Sequence, residues 1–188
     1  LRHPPIVTDG AGTVHMFYLR EANLTLSKAN LYHTSKAAGS TSWTPAEQIA
    51  ANVAGSISVA SDGAGKFAIG YQDTTLDANW RPTSTTLHIV TNQGSSWTDD
   101  ASLSYQKGAA IAGLQYAAGK LHMLVQYTTT DGSESSFSVL RKDGGVWSKG
   151  YEGELSMPSL TLGGADKFDP GTFIGSPTGQ VIEVAESA

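Results

Sequence analysis

Short apolar segments of alternating polarity follow one another along most of the chain, separated by Gly, Asp, Asn and Ser. Alternation with a period of two is typical of strands that bury one face. The stretches "TDGAG" and "SDGAG" predict tight turns, because glycine supplies the positive φ that a hairpin turn requires. No stretch shows convincing helical periodicity. The pattern therefore predicts an all-β protein.

The segments recur as a repeat of roughly fifty residues. Each unit begins with an apolar segment: "PPIVTDGAG", "SISVASDGAG" or "AAIAGLQYAAG". A second segment ("TVHMFYL", "KFAIGYQ", "KLHMLVQ") and a third ("ANLYHTS", "TTLHIVT", "SFSVLRK") follow. A Gly-containing turn then leads through Trp43, Trp97 or Trp147 into a fourth segment. Four short strands in each repeat are typical of a propeller blade.

We place three repeat units at residues 4–53, 54–107 and 108–155 of a single domain covering 1–188. An incomplete fourth unit occupies 156–188, because this tail lacks the tryptophan turn. The prediction is a β-propeller-type fold with about three and a half four-stranded blades. Closed propellers typically have about four to eight blades. Besides closure as a small four-bladed ring, we therefore expect completion by homo-oligomerisation or by the remainder of a longer propeller.

The turn before each tryptophan resembles the BNR or Asp-box repeat of sialidases, whose pattern is Ser-x-Asp-x-Gly-x-Thr-Trp. Aligned on Trp97, the five pattern positions hold Val90, Asn92, Gly94, Ser96 and Trp97. Aligned on Trp147, Lys142 stands where the Asp belongs. Asp-boxes are structural in that family. The resemblance therefore implies a structural role for Trp43, Trp97, Trp147 and Gly94.

The pieces "NLYHTS" and "TLHIVT" are similar to the blades of bacterial and fungal propeller lectins. That similarity implies shallow sugar pockets between blades, built from an aromatic face and polar side chains. Trp80 lies outside the box positions, in the polar loop "DANWRPTS", either as a sugar platform or as an anchor folded onto its blade. The candidate ligand-binding residues are Trp80, Arg81, Asn79, Tyr71 and His88.

Catalysis is the main alternative to binding. A sialidase-like enzyme needs three arginines around a carboxylate, and the chain has four: Arg2, Arg20, Arg81 and Arg141. A glycoside hydrolase needs two carboxylates, and the candidates are Asp73, Asp77, Glu134, Glu152 and Glu154. Among these, Asp73, Asp77 and Arg81 are the catalytic candidates, although solvated turn residues are the simpler interpretation. We expect a non-catalytic sugar-binding module, with a glycosidase fragment or a protein-interaction propeller as alternatives.

Composition and charge limit the partners. The net charge of −5 leaves no basic face for nucleic acid. Without cysteine there is no disulfide, thiolate metal site or Cys nucleophile. The five histidines (His3, His15, His33, His88 and His122) are scattered, so neither a metal nor a cofactor is expected. No apolar run is long enough to enter a bilayer as a span. A chain that begins at Leu1 rather than Met suggests a secreted, processed product or a trimmed fragment. The expected partner is a glycan.

Overall fold

The computed structural model describes residues 4–23, 28–79, 81–93, 96–128, 135–143, 145–154, 173–175 and 181–183. These residues form β1 (Ile6–Thr8), β2 (Val14–Asn23), β3 (Lys28–Lys36), β4 (Glu47–Ser61), β5 (Phe67–Leu76), β6 (Pro82–Gln93), β7 (Ser96–Tyr105), β8 (Ala109–Ala117), β9 (Lys120–Thr128), β10 (Ser135–Asp143), β11 (Val146–Glu154), β12 (Phe173–Gly175) and β13 (Val181–Glu183). Within these ranges no helix is long and apolar enough to cross a membrane.

The strands pair with their neighbours in sequence. One sheet has seven strands in the order β1-β2-β3-β4-β5-β6-β7, a second has the order β11-β10-β9-β8, and β12 pairs with β13. All the pairs are antiparallel. The predicted all-β, propeller-type fold is confirmed. Most of the incomplete fourth unit, 156–188, lies outside the described residues.

The strand β4 belongs to two successive meanders. Its residues 47–54 pair with β3, and its residues 54–61 pair with β5. Asn52 (φ 60°) and Gly55 (φ 75°) both lie in the left-handed region between the two halves, where the strand bends. The repeat boundary that we placed between residues 53 and 54 therefore falls inside a continuous strand.

We name the units by their strands. The first unit is β1–β3 with the first half of β4, the second unit is the rest of β4 with β5–β7, and the third unit is β8–β11. The first junction lies between the first and second units, and the second junction between the second and third. The Gly10 N–H donates to the Gly63 carbonyl at 2.6 Å, and Lys66 and Gly119 line the same cavity, so the tight turns at 9–13, 62–66 and 118–119 share one end, the turn end. The β5–β6 loop at 77–81 lies at the opposite end, the hairpin end.

An apolar cluster fills each junction. The buried residues of the first junction are Phe17, Leu31, Val53, Phe67, Ile69, Tyr71 and Val90. Those of the second junction are Ala60, Ala68, Leu87, Ile89, Ala109, Ile111, Leu114, Leu121, Met123, Val125 and Leu140. The strand β5 buries five consecutive residues, 67–71, because its two faces pack on different units.

A glycine allows the close approach of β8 to β5 at the second junction. A Cβ added at Gly70 would lie only 2.6 Å from Cδ1 of Ile111, a buried residue of the third unit. The absence of a side chain at this position therefore lets Ile111 fill the space against β5.

Candidate functional site

Two of the predicted ligand-binding residues, Tyr71 and His88, are direct partners on β5 and β6. Their rings stack with centroids 4.9 Å apart and an interplanar angle of 12°. Tyr71 is only 8% exposed, whereas His88 is half-buried. Burial, reinforced by the negative charges of Asp99 and Asp73, raises the pKa of Tyr71. Its phenol therefore stays protonated and remains a hydrogen-bond donor.

An ion pair joins the first two units on the same face. Lys28 Nζ on β3 lies 2.7 Å from Asp73 Oδ1 on β5. Asp73 follows Tyr71 by two residues, so both side chains point toward the first junction. The ion pair and the ring stack together form the polar rim of this junction at the hairpin end, which we call the rim groove.

The β5–β6 loop places Asn79 and Arg81 at the tip of the hairpin above the rim groove. The carboxylate of Asp77 accepts hydrogen bonds from the backbone N–H groups of Asn79 (2.8 Å) and Arg81 (2.9 Å). The Asp77 N–H in turn donates to the Arg81 carbonyl at 2.9 Å. Asn79 and Arg81 are exposed, and Trp80 lies outside the described residues.

The catalytic candidates have structural partners. Asp73 is paired with Lys28, and the Asp77 carboxylate closes the loop. The hydrogen bonds from Arg81 and Asn79 lower the pKa of Asp77, which does not suit a general acid. Glu134 lies outside the described residues, as do the side chains of Glu152 and Glu154 on β11.

The arginines do not share one unit. Arg20 lies on β2, Arg81 at the β5–β6 loop and Arg141 on β10, where its guanidinium is 3.8 Å from Asp143. Arg2 lies outside the described residues. The described arginines are thus spread over three units, one in each.

Histidines meet at the turn end of the first junction. His15 Nδ1 lies 3.0 Å from His33 Nε2, and His15 Nε2 lies 3.4 Å from Asp9 Oδ2. His33 also contacts the rings of Phe17 and Trp97. Burial, with the nearby His15, lowers the pKa of His33 to about 4. His33 is therefore a neutral ring within an aromatic cluster at neutral pH.

His88 and His122 lie elsewhere, His88 at the rim groove and His122 buried on β9, where burial lowers its pKa. No group of three or more His, Cys, Asp or Glu side chains in the described ranges is arranged to hold a metal ion. His3 precedes the first described residue.

The box tryptophans differ in their surroundings. Trp97 packs against the first-junction cluster and donates its Nε1 hydrogen to Glu47 at 3.2 Å. Trp147 packs against the second-junction cluster. Trp43 is 43% exposed, and the Lys36 ammonium lies 5.7 Å from its ring centroid. Gly94 lies outside the described residues.

A cleft that our sequence-based search for site residues did not predict opens at the turn end of the second junction. We call it the turn-end cleft. Its volume is about 380 Å³, and its lining residues are Lys66, Thr91, Asp100, Tyr116, Gly119, Leu121, Lys142 and Gly145. This volume is within the range of about 300–1,000 Å³ that is typical of small-molecule sites.

Charged groups converge on the turn-end cleft. Lys142 Nζ on β10 forms an ion pair with Asp100 Oδ1 on β7. Among the described residues, Asp100 Oδ2 is buried without a hydrogen-bond partner. The Lys66 ammonium lies 5.7 Å from the ring centroid of Tyr116. Burial, with Asp62 and Asp100 nearby, raises the pKa of Tyr116 to about 12.

One sequence signal, at Lys142, points to this cleft in retrospect, whereas the placement of Asp100 comes from the structure. Lys142 stands where the box pattern has Asp. In the same position of the second unit, Asn92 donates to the Gly65 carbonyl and accepts from the Phe67 N–H within its own unit. Asp100 lies in a β-bulge: Val90 pairs with Asp99 and Ile89 pairs with Ala101, which leaves Asp100 unpaired. A bulge re-aims a side chain, and its position could not be read from the sequence.

Comparison with known proteins shows what the fold is similar to. Two solved structures of an ulvan lyase, described as a new family of polysaccharide lyase, PL25, match with TM-scores of 0.59 and 0.60 and 9% identity. The first of them is bound to the saccharide -[GlcA(1-4)Rha3S]-. The matches cover 78% and 83% of this chain but 42% and 44% of the ulvan lyase chains, so this chain spans less than half their length.

At 9% identity this likeness shows the fold alone. No protein-family model matches the chain, and the search of curated proteins found no match either. The resemblance to Asp-box repeats thus remains a prediction, while the shared architecture is established.

Proposed function

We propose that this chain is a carbohydrate-binding, lectin-like propeller module whose ligand lies in the rim groove. The observation that carries the proposal is the stack of His88 on the buried Tyr71 beside the Lys28–Asp73 ion pair. The ring of His88 is held in place by the buried Tyr71. Together with the paired polar groups beside it, this ring is a pre-formed surface for one face of a sugar and its hydroxyls.

The hairpin tip supplies the second wall of the proposed site. Arg81 and Asn79 are exposed there, and Asp77 fixes the backbone that carries them. Between them in the sequence stands Trp80, which we propose as a platform for pyranose C–H groups. The guanidinium of Arg81 would bind a carboxylate or sulfate of the ligand through two parallel hydrogen bonds.

The likeness in fold supports a polysaccharide as the ligand. The matched ulvan lyase is bound to a saccharide of glucuronate and sulfated rhamnose. Lys28 on β3 and Arg81 at the β5–β6 loop are cations, which suit such an anionic chain better than a neutral one. We therefore propose an acidic polysaccharide as the ligand. Homo-oligomer formation is a separate proposal.

The test is affinity electrophoresis or calorimetry with ulvan as the probe and neutral dextran for comparison. Trp80→Ala and Arg81→Gln are each expected to lower the affinity for ulvan about tenfold, as for the loss of a charged hydrogen bond or an aromatic platform. Arg20→Gln is the matched control, because Leu19 contacts the first-junction cluster and its neighbour Arg20 points to the opposite face. Equal affinities for all variants would refute the rim groove as the site.

A second candidate, cleavage of the polysaccharide, is favoured by the matched proteins being lyases. In such an elimination a base, His88 in this proposal, removes the proton α to the uronate carboxylate, a C=C bond forms, the glycosidic C–O bond breaks and the departing oxygen takes up a proton. The product is an unsaturated uronate that absorbs ultraviolet light. A rise in this absorbance on incubation with ulvan, abolished by His88→Ala, would replace the lectin-like function by an enzymatic one.

A further inference from the structure

We propose that the turn-end cleft is a second ligand site, and that it takes a sugar acid, a molecule that carries an anionic group together with hydroxyls. The cleft lies between the second and third units, at the opposite end from the rim groove. It shares no residue with that groove, and the proposal does not depend on sugar binding there.

Two lysines supply the attraction for the anionic group. Lys66 lies on the tight turn before β5, and Lys142 lies on β10 across the cleft. Among the described residues, only Lys142 of these two lysines has a carboxylate partner, Asp100. The Lys66 ammonium lies over the ring of Tyr116 and is free to add a carboxylate or sulfate oxygen to that contact.

Asp100 supplies the recognition of a hydroxyl. Its Oδ1 is bound to Lys142, but its Oδ2 is buried and has no hydrogen-bond partner among the described residues. A buried carboxylate oxygen without a donor is costly, and a ligand hydroxyl would satisfy it. A simple anion carries no such donor, whereas a sugar acid carries several.

Tyr116 completes the set of polar groups. Its hydroxyl stays protonated at neutral pH and can donate to a ligand oxygen. Gly119 lines the cleft at the β8–β9 turn and Gly145 lines it at the β10–β11 turn. Neither has a side chain, so the mouth of the cleft is left open.

The repeat itself argues that the cleft is a built feature. The fourth strand of the first unit also has a bulge, at a different register, and its unpaired residue, Ile49, packs against the first-junction cluster. In the second unit the residue that corresponds to Lys142 is Asn92, which binds its own backbone. The bulge residue and the box residue at the first junction thus have structural partners, whereas Asp100 and Lys142 at the second junction are charged and line the cleft.

The experiment uses three probes, D-glucuronate, acetate and glucose, and follows backbone amide shifts by NMR together with the affinity. Glucuronate carries the anion and the hydroxyls, acetate only the anion and glucose only the hydroxyls. We expect glucuronate to bind at least about tenfold more tightly than either comparator. The amides of Gly119 and Gly145 should shift, and they should shift equally in Arg81→Gln, which separates binding in the cleft from binding at the rim groove.

Two lysines give a matched pair of variants. Lys36 lies 5.7 Å from the ring centroid of Trp43, the same distance as Lys66 from that of Tyr116, but it does not line the cleft. Lys66→Gln is expected to lower glucuronate affinity about tenfold, and Lys36→Gln to leave it unchanged. Asp100→Asn frees Lys142 for any anion, so it should raise the affinity for acetate and narrow the preference for glucuronate over acetate. Should Asp100→Asn fail to fold, the lysine pair and the amide shifts decide the question.

Each outcome has one meaning. Equal affinity for the three probes, or equal effects of the two lysine variants, would overturn the cleft proposal and leave the Asp100–Lys142 pair as purely structural. Loss of ulvan binding in Arg81→Gln with unchanged glucuronate binding in Lys66→Gln would support the rim groove and refute the cleft. The reverse pattern would support the cleft and refute the rim groove.

Discussion

The two junctions between units use the same strand positions in different ways. At the turn end of the first junction the rings of His15, His33, Phe17 and Phe67 pack together, with Trp97 at their edge. At the turn end of the second junction lysines, a carboxylate and a tyrosine surround an open cleft. Two junctions of one repeated architecture thus differ, one being a packed aromatic seam and the other a polar cavity. Repeat units can keep their architecture while a single seam acquires chemistry.

The largest difference between the junctions should appear on truncation of equivalent core residues. Phe67 and Leu121 occupy the same position in the second and third units, and both are buried. Phe67→Ala is expected to lower the free energy of unfolding by about 3–5 kcal/mol, as for a buried aromatic side chain. Leu121→Ala should cost about 2–3 kcal/mol, at the low end for leucine, because the adjoining cleft lets water enter the space. Urea unfolding would measure the loss of free energy in both variants. Equal losses would contradict the expected difference between the two junctions.

The box tryptophans provide the next comparison. Trp97→Ala removes contacts with Phe17 and His33 and should cost about 2–3 kcal/mol. This is less than for a fully buried aromatic residue, because Trp97 is only half-buried. Trp43→Ala should cost less than about 1 kcal/mol, since Trp43 is 43% exposed. A larger cost for Trp43→Ala than for Trp97→Ala in the same unfolding assay would overturn this order.

The aromatic seam should also make stability depend on pH. The unfolded state takes up a proton on His33 as the pH falls through 6.5, whereas the folded state does not until about pH 4. The stabilisation that comes from keeping His33 neutral is therefore fully present above pH 6.5, and it is lost as the pH falls from 6.5 toward 4. After allowance for the partial exposure of His33, the loss should be about 1–2 kcal/mol.

The variant His33→Gln cannot take up this proton. Urea unfolding at pH 7.5 and pH 4.5 should therefore show a smaller acid loss for His33→Gln than for the natural sequence. Some acid loss should remain, because burial lowers the pKa of His122 in the third unit as well. An identical loss in both proteins would exclude His33 as the cause.

The smallest effect should come from the ion pair of the rim groove. The pair of Lys28 with Asp73 is partly exposed, so its coupling energy should be about 0.2–1 kcal/mol. A double-mutant cycle with Lys28→Met and Asp73→Asn measures this energy, and it should decrease as salt is added. A coupling energy above about 2 kcal/mol would show that the pair is desolvated and holds the two units together.

The fold could be predicted because its signals are local and repeated. Alternating segments and Asp-Gly turns specify strands and hairpins one at a time, and their recurrence specifies the propeller type. The stacked pair of Tyr71 and His88 also combines two predicted ligand residues. The continuous strand β4 was not predicted, because its bend at Asn52 and Gly55 looks like a break in the alternation.

The turn-end cleft could not be predicted for a physical reason. Asp100 and Lys142 lie on strands of different units, and they meet only because of a bulge in β7 and the packing of two sheets. A bulge changes the direction of one side chain without leaving a clear mark on the sequence pattern. The replacement of the box Asp by Lys142 was visible in the sequence, but not what that lysine would contact.

The strand β4 has a consequence for how the molecule opens. It joins the first two units through one continuous ladder of backbone hydrogen bonds, whereas no ladder pairs the third unit with its neighbour in the described residues. The first two units should therefore exchange their amide hydrogens with solvent as one cooperative block, and the third should be able to detach from it at a lower free energy. The weaker seam is the one that holds the cleft. A ligand bound in the cleft would then hold the third unit against the second and slow amide exchange throughout β8–β11.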